Sequence, residues 1–246
     1  MSQTNGITAY YEVVQEQLGK VLAAQQDQMA HIADLWAQSI SADKLVYTFG
    51  SGHSRYIAGE LYWRAGGLAP VMQIEEPSNG LAERLESYAE TFMAAYHIQP
   101  GDLLFVISNS GINPVPVGVA RYGKAAGATV IAVTNLEHSQ QGVSRDSSGQ
   151  KLYEVADIIL DTMGVRGDAV VGLPGVEWKV GPTSTLISVS MLNAIVAQTA
   201  TNLMEQGITP PVLISANVPE GDAHNQSLSD KYWPRLTHFP RRTAAG

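Results

Sequence analysis

The chain has no cysteine: 0 in 246 residues. This excludes disulfide scaffolding, thiolate catalysis and Cys-ligated zinc together, and leaves His, Glu, Asp, Ser and Lys to carry any chemistry. Basic residues are also scarce, with Lys+Arg 15 against Asp+Glu 23 and a formal net charge of -8. Such a field repels nucleic acid and anionic membranes. Lys20 is the only lysine in residues 1–43, so the basic helix-turn-helix segment of a DNA-binding regulator is missing. No apolar run approaches the roughly 20 residues that cross a bilayer, and Met1 to Gly6 is polar, unlike the start of a secretory leader. A soluble, cytoplasmic protein with no membrane and no nucleic-acid partner is the expectation. Both standard nucleotide motifs are missing too: no Gly-x-Gly-x-x-Gly follows the first predicted strand, and no Gly-Lys-Ser/Thr phosphate loop occurs. His31 and His138 stand at no metal-ligand spacing with a carboxylate, and neither a metal nor a cofactor is expected.

What is present is a regular alternation. A hydrophobic content of 45% over this length allows one sizeable core, and a single domain over 1–246 is expected. Apolar residues recur at helical spacing across 7–40 (Val14, Leu18, Val21, Leu22, Met29, Ile32, Leu35, Trp36), which predicts one long or two broken helices in an N-terminal segment 1–43. Short apolar runs at 44–49, 69–74, 102–107, 128–133 and 155–160 predict five strands. Helical patterns at 54–64, 81–96, 114–126 and 184–205 separate or follow them. Pro114 suits the first turn of its helix, where a missing N–H costs nothing. Strands alternating with helices imply right-handed crossovers and a parallel sheet covered on both faces. A short strand is expected at 176–179, where Trp178 is a candidate to bind a sugar face, with a place in the core as the commoner outcome. The segment 208–246, with five prolines, reads as a tail that packs on this subunit or a neighbour.

In such a sheet, ligands bind outside the carboxyl ends of the strands, where free N–H groups face the ligand. Two predicted turns at those ends are rich in small hydroxyl-bearing residues: Gly50-Ser51-Gly52-His53-Ser54 and Ser108-Asn109-Ser110-Gly111-Ile112-Asn113. Glycines let backbone N–H groups approach an anion, and Ser or Asn adds donors without bulk. A third polar start, Gly181-Pro182-Thr183-Ser184-Thr185, precedes the last long helix. Each turn alone is also an ordinary helix cap; together they point to phosphate.

Phe49-Gly-Ser-Gly-His-Ser54 and Ile107-Ser-Asn-Ser-Gly111 resemble the two signature loops of sugar isomerase (SIS) domains, and the entry at 181–185 resembles that of their last long helix. The likeness spans roughly 44–205. It implies a three-layer αβα sandwich around a five-stranded parallel sheet of flavodoxin-like type. It also implies a phosphorylated sugar held by Ser51, Gly52, Ser54, Ser108, Asn109, Ser110, Asn113, Thr183 and Ser184; at the position of Asn113 the family more often carries Thr or Ser. Glu60-Leu61 is similar to the catalytic Glu-Leu of the phosphoheptose isomerase branch, but arrives about one helical turn earlier, a shift of about 5 Å.

Aldose–ketose isomerisation passes a proton between adjacent carbons and needs a positioned carboxylate or imidazole. Glu60 is the candidate base, with pairing to Arg64 at i+4 as its structural alternative. His53, inside the first loop, and His224, in the tail, are candidate acids; His97 is read as structural. Glu75 and Glu76 after the second strand are candidates for orienting sugar hydroxyls or a solvated strand end. The leading expectation is a sugar-phosphate isomerase. The alternatives are a non-catalytic sugar-phosphate sensor or partner-binding regulator, and a sugar-phosphate lyase. The apolar faces of 7–40 and 186–203 suit a homodimer or homotetramer.

Overall fold

Along β3 (Leu103–Ile107), consecutive side chains enter two different cores. Leu103, Phe105 and Ile107 belong to one buried cluster, and Leu104 and Val106 to the other. A strand buried on both faces must read as an uninterrupted apolar run, and this is why the strands show so plainly in the sequence. The same holds for β1 (Val46–Gly50) and β4 (Thr129–Thr134), whose residues are nearly all buried.

The computed structural model describes residues 5–236. Five parallel strands, with β2 at Val71–Ile74 and β5 at Ile158–Asp161, form one sheet in the order β2-β1-β3-β4-β5. One face is covered by α1 (Gly6–Ser41), α2 (Arg55–Glu60) and α7 (Ser184–Glu205). The other carries α3 (Tyr88–Met93), α4 (Pro114–Ala125) and α6 (Leu152–Val155). The short α5 (Leu136–Gln141) follows β4. The result is the expected three-layer sandwich with a five-stranded parallel sheet.

The N-terminal segment is a single helix of 36 residues, started by Asn5, whose side chain accepts from the Ile7 and Thr8 N–H groups. Its C-terminal part packs on α7 and the sheet, and its N-terminal part is tied to the segment after β5 through Gln17, which donates to the Thr162 carbonyl. Asn202 donates to Asp34 at 2.7 Å, and Trp36, fully buried, meets Phe105 at a ring separation of 5.4 Å. By length and composition α7 is apolar enough to cross a membrane, but here it is a core helix, burying Ile187, Met191, Leu192, Ile195 and Leu203.

Three expectations are corrected. The helix anticipated over 81–96 shrinks to α3, because the chain after β2 winds through turns in which Asn79 and Ser87 take positive φ (55° and 58°). The strand near 176–179 becomes β7 (Lys179–Pro182), paired antiparallel with β6 (Ala169–Gly172) in a separate two-stranded hairpin. Trp178 stands on that hairpin 68% exposed, outside the core.

The tail packs on its own subunit, and residues 237–246 of it lie outside the described residues. Val212 bridges to Leu68, the Asn225 side chain clamps both backbone groups of Ile214, and a helix, α8 (Gly221–Tyr232), follows. Arg235 then pairs at 3.1 Å with Asp102, whose buried carboxylate also accepts from the Leu45 and Gln99 N–H groups. Burial, and then the nearby Asp102 charge, push the Tyr47 hydroxyl up to about 12.

Candidate functional site

The sheet changes direction between β1 and β3. From β1 the chain crosses to β2 on one side, and from β3 to β4 on the other. Adjacent strands whose connections leave in opposite senses open a crevice at their carboxyl ends. Gly50 and Ile107 are register partners at those ends, so the turns beginning at Ser51 and Ser108 emerge side by side. The two serine loops are therefore neighbours, as a shared anion requires.

The first loop is tight. It drops from Gly50 into a 3₁₀ turn, Gly52–Ser54, that runs straight into α2. A Cβ on Gly50 would lie 2.3 Å from the Ser54 carbonyl oxygen, so only glycine fits there. The segment after β2 lies directly on this loop: a Cβ on Gly80 would stand 2.5 Å from the Gly52 Cα. Glu76 organises that segment by accepting from the Ser78 and Gly80 N–H groups. It is buried, and its oxygens are committed to backbone; Glu75 is exposed at the cavity edge.

Within the loops the hydroxyls differ in occupation. Ser51 is buried, and its Oγ has no hydrogen-bond partner among the described residues. A buried hydroxyl without a partner is costly, and one at the mouth of a crevice suits a ligand atom. The Ser108 Oγ accepts from the Gly111 N–H at 3.2 Å. Ser54 and Ser110 are half-buried. The Asn109 carbonyl ties the second loop to β4 by accepting from the Asn135 N–H.

Two residues that sequence reasoning passed over act on these loops. Glu83, expected inside a helix, presents one carboxylate oxygen to Asn113 Nδ2 at 2.9 Å and the other towards Gly52. Arg145 donates to Asn113 Oδ1 at 2.8 Å. Asn113 is therefore engaged at both ends by protein. No local pattern in the sequence pairs residue 83 with residue 113; the signal lies only in the packing.

A cavity of about 670 Å³ opens beside the first loop, lined by Arg55, Tyr56, Glu60, Gln73 and Glu75 among others. Glu60 reaches it from the end of α2 and is also ion-paired with Arg64 one turn on. Arg55, another residue missed from sequence, supplies the basic group of this cavity. It lies over the Tyr56 ring at 4.8 Å and donates to Asn79. His53 is exposed, with its ring 5.0 Å edge-on from that of Tyr56.

The remaining candidates are placed elsewhere. Asp168 Oδ1 accepts from the N–H groups of Thr183 and Ser184, and its Oδ2 from the Ser184 hydroxyl at 2.6 Å. Asp168 thus occupies both N–H groups at the start of α7 and the Ser184 hydroxyl, whereas the Thr183 hydroxyl is buried with no partner among the described residues. His224 sits on α8 with Nε2 2.8 Å from the Val212 carbonyl oxygen. Val212 pairs with Leu68 just before β2, at the opposite end of the sheet from the serine loops. Within one subunit His224 does not join them. His97 is exposed, and its carbonyl accepts from the Tyr47 hydroxyl.

The SIS domain model matches residues 9–135, which include most of α1, both serine loops and the first four strands of the sheet. Over 239 residues the chain is 38% identical to a UPF0309 protein of Geobacillus kaustophilus, covering 94% of this chain and 95% of that protein. A UPF0309 protein of Listeria monocytogenes serotype 4b is also 38% identical, covering 94% and 97%. Among solved structures, the fold is similar to a phosphoheptose isomerase from Francisella tularensis (TM-score 0.57, 16% identity, 82% of this chain and 100% of that one). It is also similar to the Vibrio vulnificus NanR protein complexed with ManNAc-6P (TM-score 0.53, 17% identity, 96% and 72%). The chain belongs to the SIS domain family.

Proposed function

We propose that the chain binds a phosphorylated sugar and isomerises it between aldose and ketose forms. The observation that carries this is the register of Gly50 with Ile107, which sets the two serine loops side by side with the unpartnered Ser51 hydroxyl between strand ends. The phosphate is assigned to Ser51, Gly52, Ser54, Ser108, Asn109 and Ser110, and the sugar to the adjacent 670 Å³ cavity, a size usual for small-molecule sites. Binding energy from the non-reacting phosphate then serves to orient the reacting carbons. Glu60, on the wall of that cavity, is the base that moves the proton. His53 is the acid from the same loop, and His224 is a contributor only across a subunit contact. The neighbour from Vibrio is described in complex with ManNAc-6P, a sugar phosphate, which agrees with the ligand class.

A second reading, a sensor that binds the sugar phosphate without turnover, is favoured by the Glu60–Arg64 ion pair, which holds the carboxylate on its own helix. A panel of phosphorylated pentoses, hexoses, heptoses and amino sugars separates the two. A ligand at 100 times its Kd adds about 2.7 kcal/mol of stability in a thermal shift. Turnover that Glu60→Gln abolishes while binding persists supports the isomerase. Binding without turnover in the unsubstituted chain supports the sensor, and no stabilisation by any sugar phosphate would sink both. We further propose that the protein works in the cytoplasm as a homodimer or homotetramer.

A further inference from the structure

Asn113 divides the carboxyl end of the sheet. Glu83 and the first serine loop lie on one side, and on the other is a recess of about 460 Å³ that the isomerase reading does not use. It is walled by Ile112 and Ser144, by His138 and Gln141 of α5, and by Arg145 and Arg166. Arg166 arrives from the connection after β5, far along the chain, whereas Arg145 is fixed by its N–H to the Ile112 carbonyl at 2.8 Å and its guanidinium to Asn113.

The charge of this recess runs against that of the molecule. The chain carries 23 acidic residues against 15 basic ones, yet neither Arg145 nor Arg166 has a carboxylate partner among the described residues. Asp168, whose charge is felt at His138, has both oxygens committed to Thr183 and Ser184. Glu137 is turned to Gln141 at 3.0 Å. The His138 ring lines the recess, and its Nδ1 is buried with no partner among the described residues. Burial and then the Arg166 charge hold this imidazole below its ordinary range, against a smaller opposite effect of Asp168. Two arginines lining one recess supply the charge an oxyanion takes, and guanidinium is a side chain suited to holding a phosphoryl group. The volume exceeds what a bare ion fills and falls in the range of small-molecule sites.

We infer that this recess is a second ligand site, taking the phosphoryl group of a small molecule between Arg145 and Arg166 with His138 at its edge. It uses none of the residues assigned above to the sugar phosphate and does not need the chain to be an isomerase. Because Arg145 also holds Asn113, an occupant that draws on Arg145 acts on the second serine loop through one side chain.

The test uses the full chain and inorganic phosphate, with the His138 ring resonances followed by NMR at constant pH and ionic strength. The expected result is a saturable shift with phosphate at concentrations where acetate and chloride leave the ring unmoved. Arg166→Gln, at an exposed side chain, weakens it at least tenfold, and Ser51→Ala leaves it intact. Three results would overturn the inference: no response of His138, an equal response to chloride, or a phosphate response unchanged by Arg166→Gln. Loss on Ser51→Ala alone would also overturn it, by assigning the phosphate to the serine loops. Sugar-phosphate binding lost in Ser51→Ala but kept in Arg166→Gln tests those loops separately, so the two assignments can fail independently.

Discussion

Asn113 Nδ2 and Glu83 Oε1 are 2.9 Å apart, and the other Glu83 oxygen faces Gly52, so a carboxylate lies between the two serine loops. Glutamate here keeps an anion at the place assigned to the phosphate of a ligand. Two unit charges about 6 Å apart repel by roughly 3 kcal/mol at an effective dielectric of 20, and solvent and salt reduce this at a half-buried group. Glu83→Gln keeps the acceptor for Asn113 and removes the charge. It is expected to tighten sugar-phosphate binding about tenfold, near 1.4 kcal/mol, read by calorimetry. Weaker binding in the glutamine variant would mean that the carboxylate instead accepts from the sugar.

Ser51 offers a cleaner separation of binding from stability. Its buried hydroxyl makes no hydrogen bond among the described residues, so Ser51→Ala removes a polar group that folding leaves unsatisfied. Thermal stability is expected to stay the same or rise by up to about 1 kcal/mol, while sugar-phosphate affinity falls about tenfold, the effect of one hydrogen bond to a charged group. A clear loss of stability would show that the hydroxyl has a structural partner.

Acid should weaken the fold through Asp146. The carboxyl is buried, which taken alone would raise its pKa. Hydrogen bonds from Arg121 and Ser148 outweigh that and hold it below the ordinary aspartate range. A depressed pKa means that the unfolded chain binds the proton more tightly. The stabilisation is therefore present above the unfolded value and is lost as the pH falls through the folded one. The melting temperature is expected to drop on acidification below about pH 4, and Arg121→Met to lower it at neutral pH while flattening the acid limb. An acid limb of unchanged steepness in that variant would remove Asp146 from the explanation.

Association should involve the hairpin and the start of α1. Ile7, Tyr11, Trp178 and Val180 are exposed, and the Tyr10 hydroxyl donates to the Pro182 carbonyl, joining the two elements. Apolar side chains grouped this way mark an interface more often than bare surface. Trp178→Glu is expected to shift a dimer or tetramer towards monomer, about 30-fold or more in dissociation constant if the tryptophan is a central anchor. Sedimentation velocity at micromolar concentration reads this directly. An unsubstituted chain that is already monomeric there would discard the interface.

Much of this architecture was legible in the residues. Each buried strand announces itself as an apolar run, and Pro114 and Ser184 stand close to where their helices begin. The turn glycines and serines mark the ends of β1 and β3. What escaped had no periodic signature. The helix α8 is mostly polar and exposed, so it lacks an apolar stripe to betray it. The turns at 77–87 hide in a pattern that also suits a helix. The partners of Thr183, Ser184, Asn113 and His224 are distant in sequence or lie in segments without regular structure.

Local patterning by itself determined the αβ alternation, the five strands, the covered sheet and the composition of the two loops, because burial on two faces and backbone turns leave their mark residue by residue. Only the tertiary structure decided that β1 and β3 are neighbours, that Glu83 and Arg145 meet at Asn113, and that Asp168 closes the start of α7. These are contacts between segments tens of residues apart, and they depend on strand order and packing geometry, which no short stretch of chain encodes.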